Sequence, residues 1–379
     1  MVESLDMQSP VLVQERETSS GQILGHLTLN KPKALNALDL EMAKIMLDAL
    51  KSWQNREDVV MVMIDGVGDK AFCAGGDVVS MHQAMKASPD AIPGFLQEFF
   101  TVEYELDYTI HTYSKPIIAW GSGIVMGGGM GLLCGASHRV VTPSSRLAMP
   151  EITIGLYPDV GGSYFLPRLP GKSGLFLGLT GASINAADAR FVGLADLLCA
   201  DTARENALDA ILAHDWLSED DVSAKLSHLL ASFAPEKNEI AHSNVESRQN
   251  LIDELCSADS LAEVVQNIKH MQSGDDKWLS RAQKTLSAGS PITAHLVYEQ
   301  IKRGAELSLA DCFRMELIMS CRCGEVGEFQ EGVRALLIDK DGTPNWRYSS
   351  VEEVPESLIA HFFESPWKQD THPLSLLGE

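Results

Sequence analysis

Two glycine-rich segments of the chain could present backbone amides to an anion. They are Ala71–Asp77, with the sequence AFCAGGD, and Met126–Gly131, with the sequence MGGGMG. Because glycine has no side chain, its N–H group can approach a ligand closely, and the start of a helix favours negative charge. We predict that the amides of Gly76 and Gly128 form an oxyanion hole, in which losing one donor typically costs about a hundredfold in rate. Each motif alone is also typical of an ordinary feature, a tight turn for the first and a close helix contact for the second.

Two carboxylates occupy the segment Ala148–Gly171, which is otherwise apolar and rich in glycine and proline. They are Glu151 and Asp159. An unpaired charge is costly to bury, so carboxylates in such surroundings are either functional or held in hydrogen bonds. For each residue alone, helix capping at Glu151 and turn formation at Asp159 are the favoured interpretations. The segment becomes a candidate site only in combination with the glycine loops.

The elements around these residues alternate between strands and helices. A pattern of strand, glycine loop and helix occurs twice, and beyond about residue 193 helical runs predominate. We therefore predict an α/β protein with a core over residues 10–200 and a mainly helical region over residues 201–379. The predicted strands are Ile23–Leu29, Val59–Ile64, Ile117–Trp120 and Arg139–Thr142, and the predicted core helices begin near Asp39 and cover Val78–Met85 and Phe95–Thr112.

Composition and charge limit the class of protein. With 52 acidic and 30 basic residues the formal net charge is -22, which would repel a phosphate backbone, so we expect no nucleic-acid partner. A few basic residues in a local pocket could still bind a small anion. The seven cysteines are odd in number and scattered, which favours reduced thiols. No histidine spacing is typical of a metal site, so we expect no metal.

The apolar runs and the first twenty residues lead to an expectation about location. No apolar run approaches the roughly 20 residues that cross a bilayer. The first twenty residues carry the acidic side chains of Glu3, Asp6, Glu15 and Glu17 rather than a basic and then apolar leader. We expect a cytoplasmic protein with no membrane partner.

The glycine loops and the Pro-Glu segment, together with Lys31–Leu38, resemble the crotonase (enoyl-CoA hydratase/isomerase) superfamily over roughly Ile23–Asp196. The resemblance implies a ββα spiral core and an acyl-CoA substrate whose thioester carbonyl accepts from the two loop amides. It also implies that Lys31–Leu38 lies along the CoA, with Lys33 or Lys31 near its phosphates; a solvated surface lysine is the alternative for either. Related enzymes often form trimers or hexamers, so a homo-oligomer is left open.

The chain departs from the hydratase pattern at one informative position. Hydratases of this superfamily carry one catalytic glutamate just after the glycine triplet and a second in the Pro-Glu segment, whereas this chain has Gly131 at the first position and Glu151 at the second. Three segments resemble instead the 3-hydroxyisobutyryl-CoA hydrolase family. They are Met149–Arg168, Glu331–Asp341 and Pro344–Trp346, and the similarity spans nearly the whole chain.

The reaction that this second resemblance implies is hydrolysis of 3-hydroxyisobutyryl-CoA, or of 3-hydroxypropionyl-CoA, to CoA and the free 3-hydroxy acid, in valine breakdown. It implies that Glu151 attacks the thioester carbonyl or activates water, that Asp159 binds substrate and positions water, and that Glu103 also contacts substrate. An exposed helix carboxylate is the alternative for Glu103. Thiolate leaves readily, so no cofactor beyond the CoA of the substrate is expected. The alternatives are a hydratase or isomerase, with Asp159 or Glu103 replacing the missing acid, and a noncatalytic CoA-binding protein.

Overall fold

The computed structural model describes residues 8–326 and 328–378 of the chain. These residues fall into two compact units that interleave along the sequence. The first comprises residues 8–76, 106–147 and 184–243, and the second comprises residues 77–105, 148–183 and those described from 244 onwards. Glu3 and Asp6, which entered the expectation about the N-terminal segment, lie outside the described residues.

The regular elements are numbered in chain order. The described strands are β1 (Val11–Glu17), β2 (Ile23–Leu29), β3 (Val59–Gly66), β4 (Ala71–Cys73), β5 (Ile117–Gly121), β6 (Ile124–Met126), β7 (His138–Val141), β8 (Arg146–Ala148), β9 (Ile184–Asn185) and β10 (Leu197–Leu198). The described α-helices are α1 (Leu40–Gln54), α2 (Val78–Ala87), α3 (Gly94–His111), α4 (Gly128–Cys134), α5 (Gly162–Phe165), α6 (Ser173–Thr180), α7 (Ala186–Phe191), α8 (Arg204–Ala213), α9 (Val222–Ala231), α10 (Gln249–Leu255), α11 (Leu261–His270), α12 (Lys277–Ala288), α13 (Pro291–Gly304), α14 (Leu309–Val326), α15 (Glu328–Val333) and α16 (Glu356–Phe362).

A six-stranded sheet with the order β1-β2-β3-β5-β7-β10 forms the core of the first unit. β1 pairs antiparallel with β2, and the other neighbours pair in parallel. The interior strands β3 and β5 are almost wholly buried, which explains why their sequences are continuous apolar runs. Strand residues such as Trp120 pack in one apolar cluster with Ile211 of α8 and Leu230 of α9.

A smaller sheet with the order β4-β6-β8-β9 carries the glycine loops. β4 and β6 are parallel neighbours, with Ala71 opposite Ile124 and Cys73 opposite Val125. Because the carboxyl ends of parallel neighbours meet at the same edge of a sheet, the loops that follow these two strands begin side by side.

The second unit is built around helices α13 and α14. α13 packs against α5 and α6, and α14 packs against α5, α15 and α16. The start of α13 is capped by Ser290, whose side chain accepts from the Thr293 amide, and Pro291 occupies its first turn, where a missing N–H costs nothing. α14 therefore brings residues from late in the chain next to the segment that carries the Pro-Glu motif.

The α/β class predicted from the sequence is confirmed, and the bounds of individual elements differ only slightly. The strand predicted at Arg139–Thr142 is β7, one residue earlier, and the helix predicted at Val78–Met85 extends to Ala87. From Arg204 onwards every regular element in the described part of the chain is helical. The division into consecutive stretches 10–200 and 201–379 stays a prediction, since the compact units interleave.

Candidate active site

The two glycine loops contact each other within the first unit. Gly75 (φ 117°) and Gly127 (φ 48°) both have positive φ, a conformation that favours glycine. A Cβ at Gly75 would lie 3.7 Å from the carbonyl oxygen of Met126, and a Cβ at Gly129 would collide with the carbonyl of Cys73. A side chain at Gly129 would therefore force the loops apart, whereas a Cβ at Gly75 would only touch the second loop.

The amides of Gly76 and Gly128 are both left open by this arrangement. The first loop is anchored by neighbouring bonds, with the Leu38 amide donating to the Gly75 carbonyl at 2.8 Å and the Ala74 amide to the Leu35 carbonyl at 3.1 Å. Among the described residues no hydrogen bond has the Gly76 amide as its donor, and Gly128 begins α4, where an amide lacks an intrahelical acceptor. The loops thus offer two backbone donors at one edge of a sheet.

Gly131 stands at the position where hydratases carry their first glutamate, and the carboxyl group of Asp107 packs against it. A Cβ at Gly131 would lie 2.6 Å from Oδ2 and 2.7 Å from Oδ1 of Asp107, a residue of α3 that is fully buried. Any side chain at residue 131 would have to displace that carboxyl group from its packed position. A glutamate at residue 131, as in the hydratases, would therefore fit only if the Asp107 side chain moved.

The acids predicted from the sequence meet in the second unit. Glu151 opens a short 3-10 turn directly after Pro150, and its Oε2 is buried without a hydrogen-bond partner among the described residues. Asp159 follows eight residues later, and Glu103 lies on α3; each of the three acids is at most 5% exposed. Helix α14 adds a fourth buried carboxyl group, that of Glu316, which accepts from the amides that begin α5.

Burial raises the proton affinity of all four carboxyl groups, and neighbouring charges add to it for Glu103, Glu151 and Glu316. Burial is the main cause in each case, and it raises the pKa of Asp159 to about 7 and that of Glu316 to about 8. Burial also holds the pKa of Glu103 well above its ordinary value, and the charges of Asp159, Glu151 and Glu316 add to this effect. The pKa of Glu151 is raised by burial and by the charge of Asp159. Such groups can exchange protons near neutral pH, which is what acid–base or nucleophilic chemistry requires.

A chain of hydroxyl groups leads from α14 to Asp159. Tyr104 Oη lies 2.8 Å from Asp159 Oδ2 and 2.6 Å from Ser320 Oγ, and Ser320 Oγ lies 2.8 Å from Tyr157 Oη. The sequence reasoning missed Tyr104, Ser320 and Glu316. One signal was present, because Glu316 and Ser320 fall on the buried stripe of α14, where an apolar residue is the norm.

The predicted CoA-contacting lysines lie on the surface of the first unit. Lys33 is exposed in a 3-10 turn after Pro32, while Lys31 Nζ forms an ion pair with Asp39 at 2.7 Å. Of the two, Lys33 is the one whose ammonium group forms no ion pair in the described part of the chain. The role of Lys33 in binding CoA stays a prediction.

Comparisons with known proteins cover nearly the whole chain. A family model described as enoyl-CoA hydratase/isomerase matches residues 24–363. A Danio rerio protein named "3-hydroxyisobutyryl-CoA hydrolase, mitochondrial" is 41% identical over 350 residues, which is 91% of this chain and 88% of that protein.

Two solved structures are similar over the same extent. A carnitinyl-CoA dehydratase from Mycobacterium thermoresistibile has a TM-score of 0.83 at 33% identity, over 97% of this chain and 99% of that one. An enoyl-CoA hydratase from Rhodobacter sphaeroides has a TM-score of 0.79 at 34% identity, over 93% and 97% of the two chains. The similarity therefore includes the helical region beyond residue 196.

Proposed function

The chain belongs to the enoyl-CoA hydratase/isomerase family, and we propose that its reaction is hydrolysis of the thioester of 3-hydroxyisobutyryl-CoA. The family match confirms the expected crotonase-like fold. The Danio rerio relative bears the name of this hydrolase, and the similarity covers most of both chains. The two similar solved structures are described instead as a hydratase and a dehydratase, so the residues of the site must decide between these chemistries.

The observation that carries the proposal is the Asp107 carboxyl group at Gly131. Hydration of a double bond needs a pair of acids to position and activate water, and residue 131, where hydratases carry the first of them, is a glycine packed against Asp107. Hydrolysis of a thioester needs one positioned carboxylate and a polarised carbonyl. Glu151, buried beside Asp159, supplies that carboxylate.

In the mechanism that we propose, the amides of Gly76 and Gly128 donate to the thioester oxygen as negative charge develops on it. Glu151 attacks the carbonyl carbon, or takes a proton from a water molecule that does so. In the first route the carbon–sulfur bond breaks to give CoA thiolate and an anhydride between the acyl group and Glu151, which water then hydrolyses. In the second route water attacks the carbonyl carbon directly, the carbon–sulfur bond breaks, and the water oxygen becomes part of the acid. Both routes end in free CoA and a 3-hydroxy acid.

Asp159 and Glu103 are assigned to the 3-hydroxyl group of the substrate. Both are buried acids that can accept or donate a hydrogen bond there. A substrate without that hydroxyl group would leave a buried polar group unpaired, which costs about 1–3 kcal/mol. We therefore propose a preference for 3-hydroxyacyl-CoA over plain acyl-CoA, with 3-hydroxypropionyl-CoA as a smaller substrate of the same class.

The proposal is tested by separating thiol release from loss of a double bond. Purified protein is incubated with 3-hydroxyisobutyryl-CoA and, separately, with crotonyl-CoA, while free thiol and enoyl absorbance are followed. We expect rapid thiol release from the first substrate, abolished in Glu151→Gln and retained in Glu306→Gln, which changes an exposed glutamate in the same way.

The same assay judges a second candidate, an enoyl-CoA hydratase, which the names of the two similar solved structures favour. Loss of enoyl absorbance from crotonyl-CoA without thiol release from either substrate would reject the hydrolase and establish the hydratase. Failure of both reactions would point to the noncatalytic alternative.

Three further expectations stay proposals. We propose a reaction without metal or cofactor, which activity after dialysis against a chelator tests. We also propose a cytoplasmic location, although the Danio rerio relative is named as mitochondrial; fractionation of the source cells decides. A homo-oligomer is the third proposal, to be tested by light scattering.

A further inference from the structure

Three hydroxyl groups of the second unit form a buried chain that ends at Asp159. Tyr157 Oη lies 2.7 Å from the backbone carbonyl oxygen of Glu316 and 2.8 Å from Ser320 Oγ. Ser320 Oγ lies 2.6 Å from Tyr104 Oη, which lies 2.8 Å from Asp159 Oδ2. All five residues are buried, and all four distances are those of O–H···O hydrogen bonds. Each of the four oxygen pairs therefore needs one proton.

The number of hydroxyl protons decides which group donates and which accepts in each hydrogen bond of the hydroxyl chain. The carbonyl of Glu316 can only accept, so the proton of that contact belongs to Tyr157. A hydroxyl group has one proton, so Ser320 must donate to Tyr157, and Tyr104 must donate to Ser320. No hydroxyl proton remains for the contact between Tyr104 and Asp159. Only the carboxyl group of Asp159 can supply it.

Ionisation of Asp159 would break this order. The proton of Tyr104 would turn to the carboxylate, and the single proton of Ser320 could then serve either Tyr104 or Tyr157. One buried oxygen pair, at 2.6 or 2.8 Å, would face lone pair to lone pair without a proton. The ionised form therefore has one hydrogen bond fewer than the neutral form.

We propose that the hydroxyl chain of Tyr104, Ser320 and Tyr157 holds a proton on Asp159 in the resting enzyme, and that these three are positioning residues for the reaction at Glu151. For catalysis this inference rests on the proposed hydrolase function, whereas the proton on Asp159 follows from the geometry alone. Burial raises the pKa of Asp159, which agrees with it. A hydrogen bond donated by Tyr104 would stabilise the carboxylate and lower this pKa, but the proton count directs the proton of Tyr104 to Ser320.

The surroundings of Asp159 favour the same state. The ionisable groups within electrostatic range are the carboxyl groups of Glu103, Glu151 and Glu316, the phenols of Tyr104 and Tyr157, and the thiol of Cys323. Every one of them is neutral or negative. Among the described residues, no basic side chain contributes to the pKa of Asp159 or of the carboxyl groups around it.

A proton on Asp159 has a direct consequence for Glu151. The charge of Asp159 raises the pKa of Glu151, so a neutral Asp159 makes the carboxylate form of Glu151 easier to reach. The hydroxyl chain thus divides the two acids into a proton carrier and a nucleophile or base. Two neighbouring acids with different environments are a common way to assign such roles.

The experiment is an infrared titration of the Asp159 carboxyl group between pH 5 and 9, identified as the band that is missing in Asp159→Asn. In Ser320→Ala the proton of Tyr104 is free to turn to Asp159, and in Tyr157→Phe the proton of Ser320 is free to turn to Tyr104. Both variants make all remaining contacts compatible with a carboxylate. We expect each to lower the pKa of Asp159 by about one pH unit, a tenfold change in proton affinity.

Two further variants make the result specific. Tyr104→Phe removes the partner of both the neutral and the ionised carboxyl group, so it should not lower the pKa of Asp159. Tyr298 is not part of the hydroxyl chain, and its phenol donates to the Asp259 carbonyl. Tyr298→Phe should therefore leave the titration of Asp159 unchanged. If the pKa of Asp159 in Ser320→Ala and in Tyr157→Phe equals that in wild type, the inference is overturned. Either variant alone suffices for this test if the other does not fold.

The titration needs no turnover, so it separates this inference from the proposed function. If thiol release fails but the two variants titrate lower, the hydroxyl chain stands and the hydrolase does not. If the hydrolase is active, the pH profile of kcat should move in Ser320→Ala together with the infrared pKa. A profile that stays fixed while the infrared pKa moves would remove the proposed positioning role.

Discussion

Replacing Asp159 with asparagine should change how the stability of the protein depends on pH. Burial raises the pKa of Asp159 from its ordinary 3.8 to about 7. A carboxyl group with a raised pKa in the folded state binds its proton more tightly there than in the unfolded chain, so the protein loses stability as pH rises from about 4 to about 7. An amide does not ionise, and its N–H can donate to Tyr104 as the neutral acid does.

The size of the effect follows from the pKa. At 1.36 kcal/mol per pH unit, the rise from 3.8 to about 7 corresponds to about 4 kcal/mol. Unfolding a chain of 379 residues has an entropy of about 0.8 kcal/mol/K, so this free energy corresponds to about 5 °C in the unfolding temperature. We expect wild type and Asp159→Asn to unfold at similar temperatures at pH 4 and the variant to be more stable by about 5 °C at pH 8.

The assay is thermal unfolding followed by differential scanning fluorimetry across this pH range. Asp196→Asn is the matched control, because the pKa of Asp196 is lowered by its hydrogen bonds with Arg139 against the opposing effect of burial. That carboxylate stabilises the fold at neutral pH, and its contribution is lost as pH falls towards 3, so the control should be less stable than wild type at pH 8. A difference between wild type and Asp159→Asn that stays constant from pH 4 to 8 would refute the assignment of the proton.

Two further predictions concern the contacts around the site. Gly131→Ala should destabilise the protein by about 1–3 kcal/mol, because its Cβ displaces the carboxyl group of Asp107. Thermal unfolding measures this loss in wild type and again in Asp107→Ala. In the Asp107→Ala background, adding Gly131→Ala should cost much less. Glu316→Gln should cost about 1–3 kcal/mol, since its single acceptor oxygen cannot serve the amides of both Gly161 and Ser163. Burial raises the pKa of Glu316 from 4.5 to about 8, so wild type loses about 5 kcal/mol relative to the variant between these pH values. The deficit of Glu316→Gln should therefore be present at pH 4.5 and reverse by pH 8, and a deficit that widens would contradict the raised pKa.

The long buried elements could be predicted from the sequence because burial leaves a pattern. The sequence predicts a strand at Val59–Ile64, and β3 spans Val59–Gly66. It predicts a helix at Phe95–Thr112, and α3 spans Gly94–His111. The four-stranded sheet could not be predicted, since its strands have two or three residues each, too few for an apolar period to appear. Its parallel pair is nevertheless what sets the two glycine loops side by side.

The candidate site shows the same limit. Glu151 and Asp159 could be singled out because they are charged residues in an apolar segment. The contact between Tyr104 and Ser320 joins residues 216 positions apart, and neither a tyrosine nor a serine in a helical pattern predicts a partner at that distance. The direction of the hydroxyl chain depends on four oxygen distances at once, which no local pattern contains.

In the described part of the chain Asp159 has no basic partner, which is best explained by function. Elsewhere the chain does pair an acid with arginine: Arg139 holds the exposed Asp196 as a carboxylate with a lowered pKa. A similar arginine beside Asp159 would relieve the cost of burying it, but it would also fix Asp159 as a carboxylate and remove its proton. The protein instead keeps an acid whose burial lowers its stability at neutral pH, as active sites commonly do. We expect Asp159→Asn to be more stable than wild type at neutral pH but to lose activity, which would show that stability and activity are in conflict at this residue.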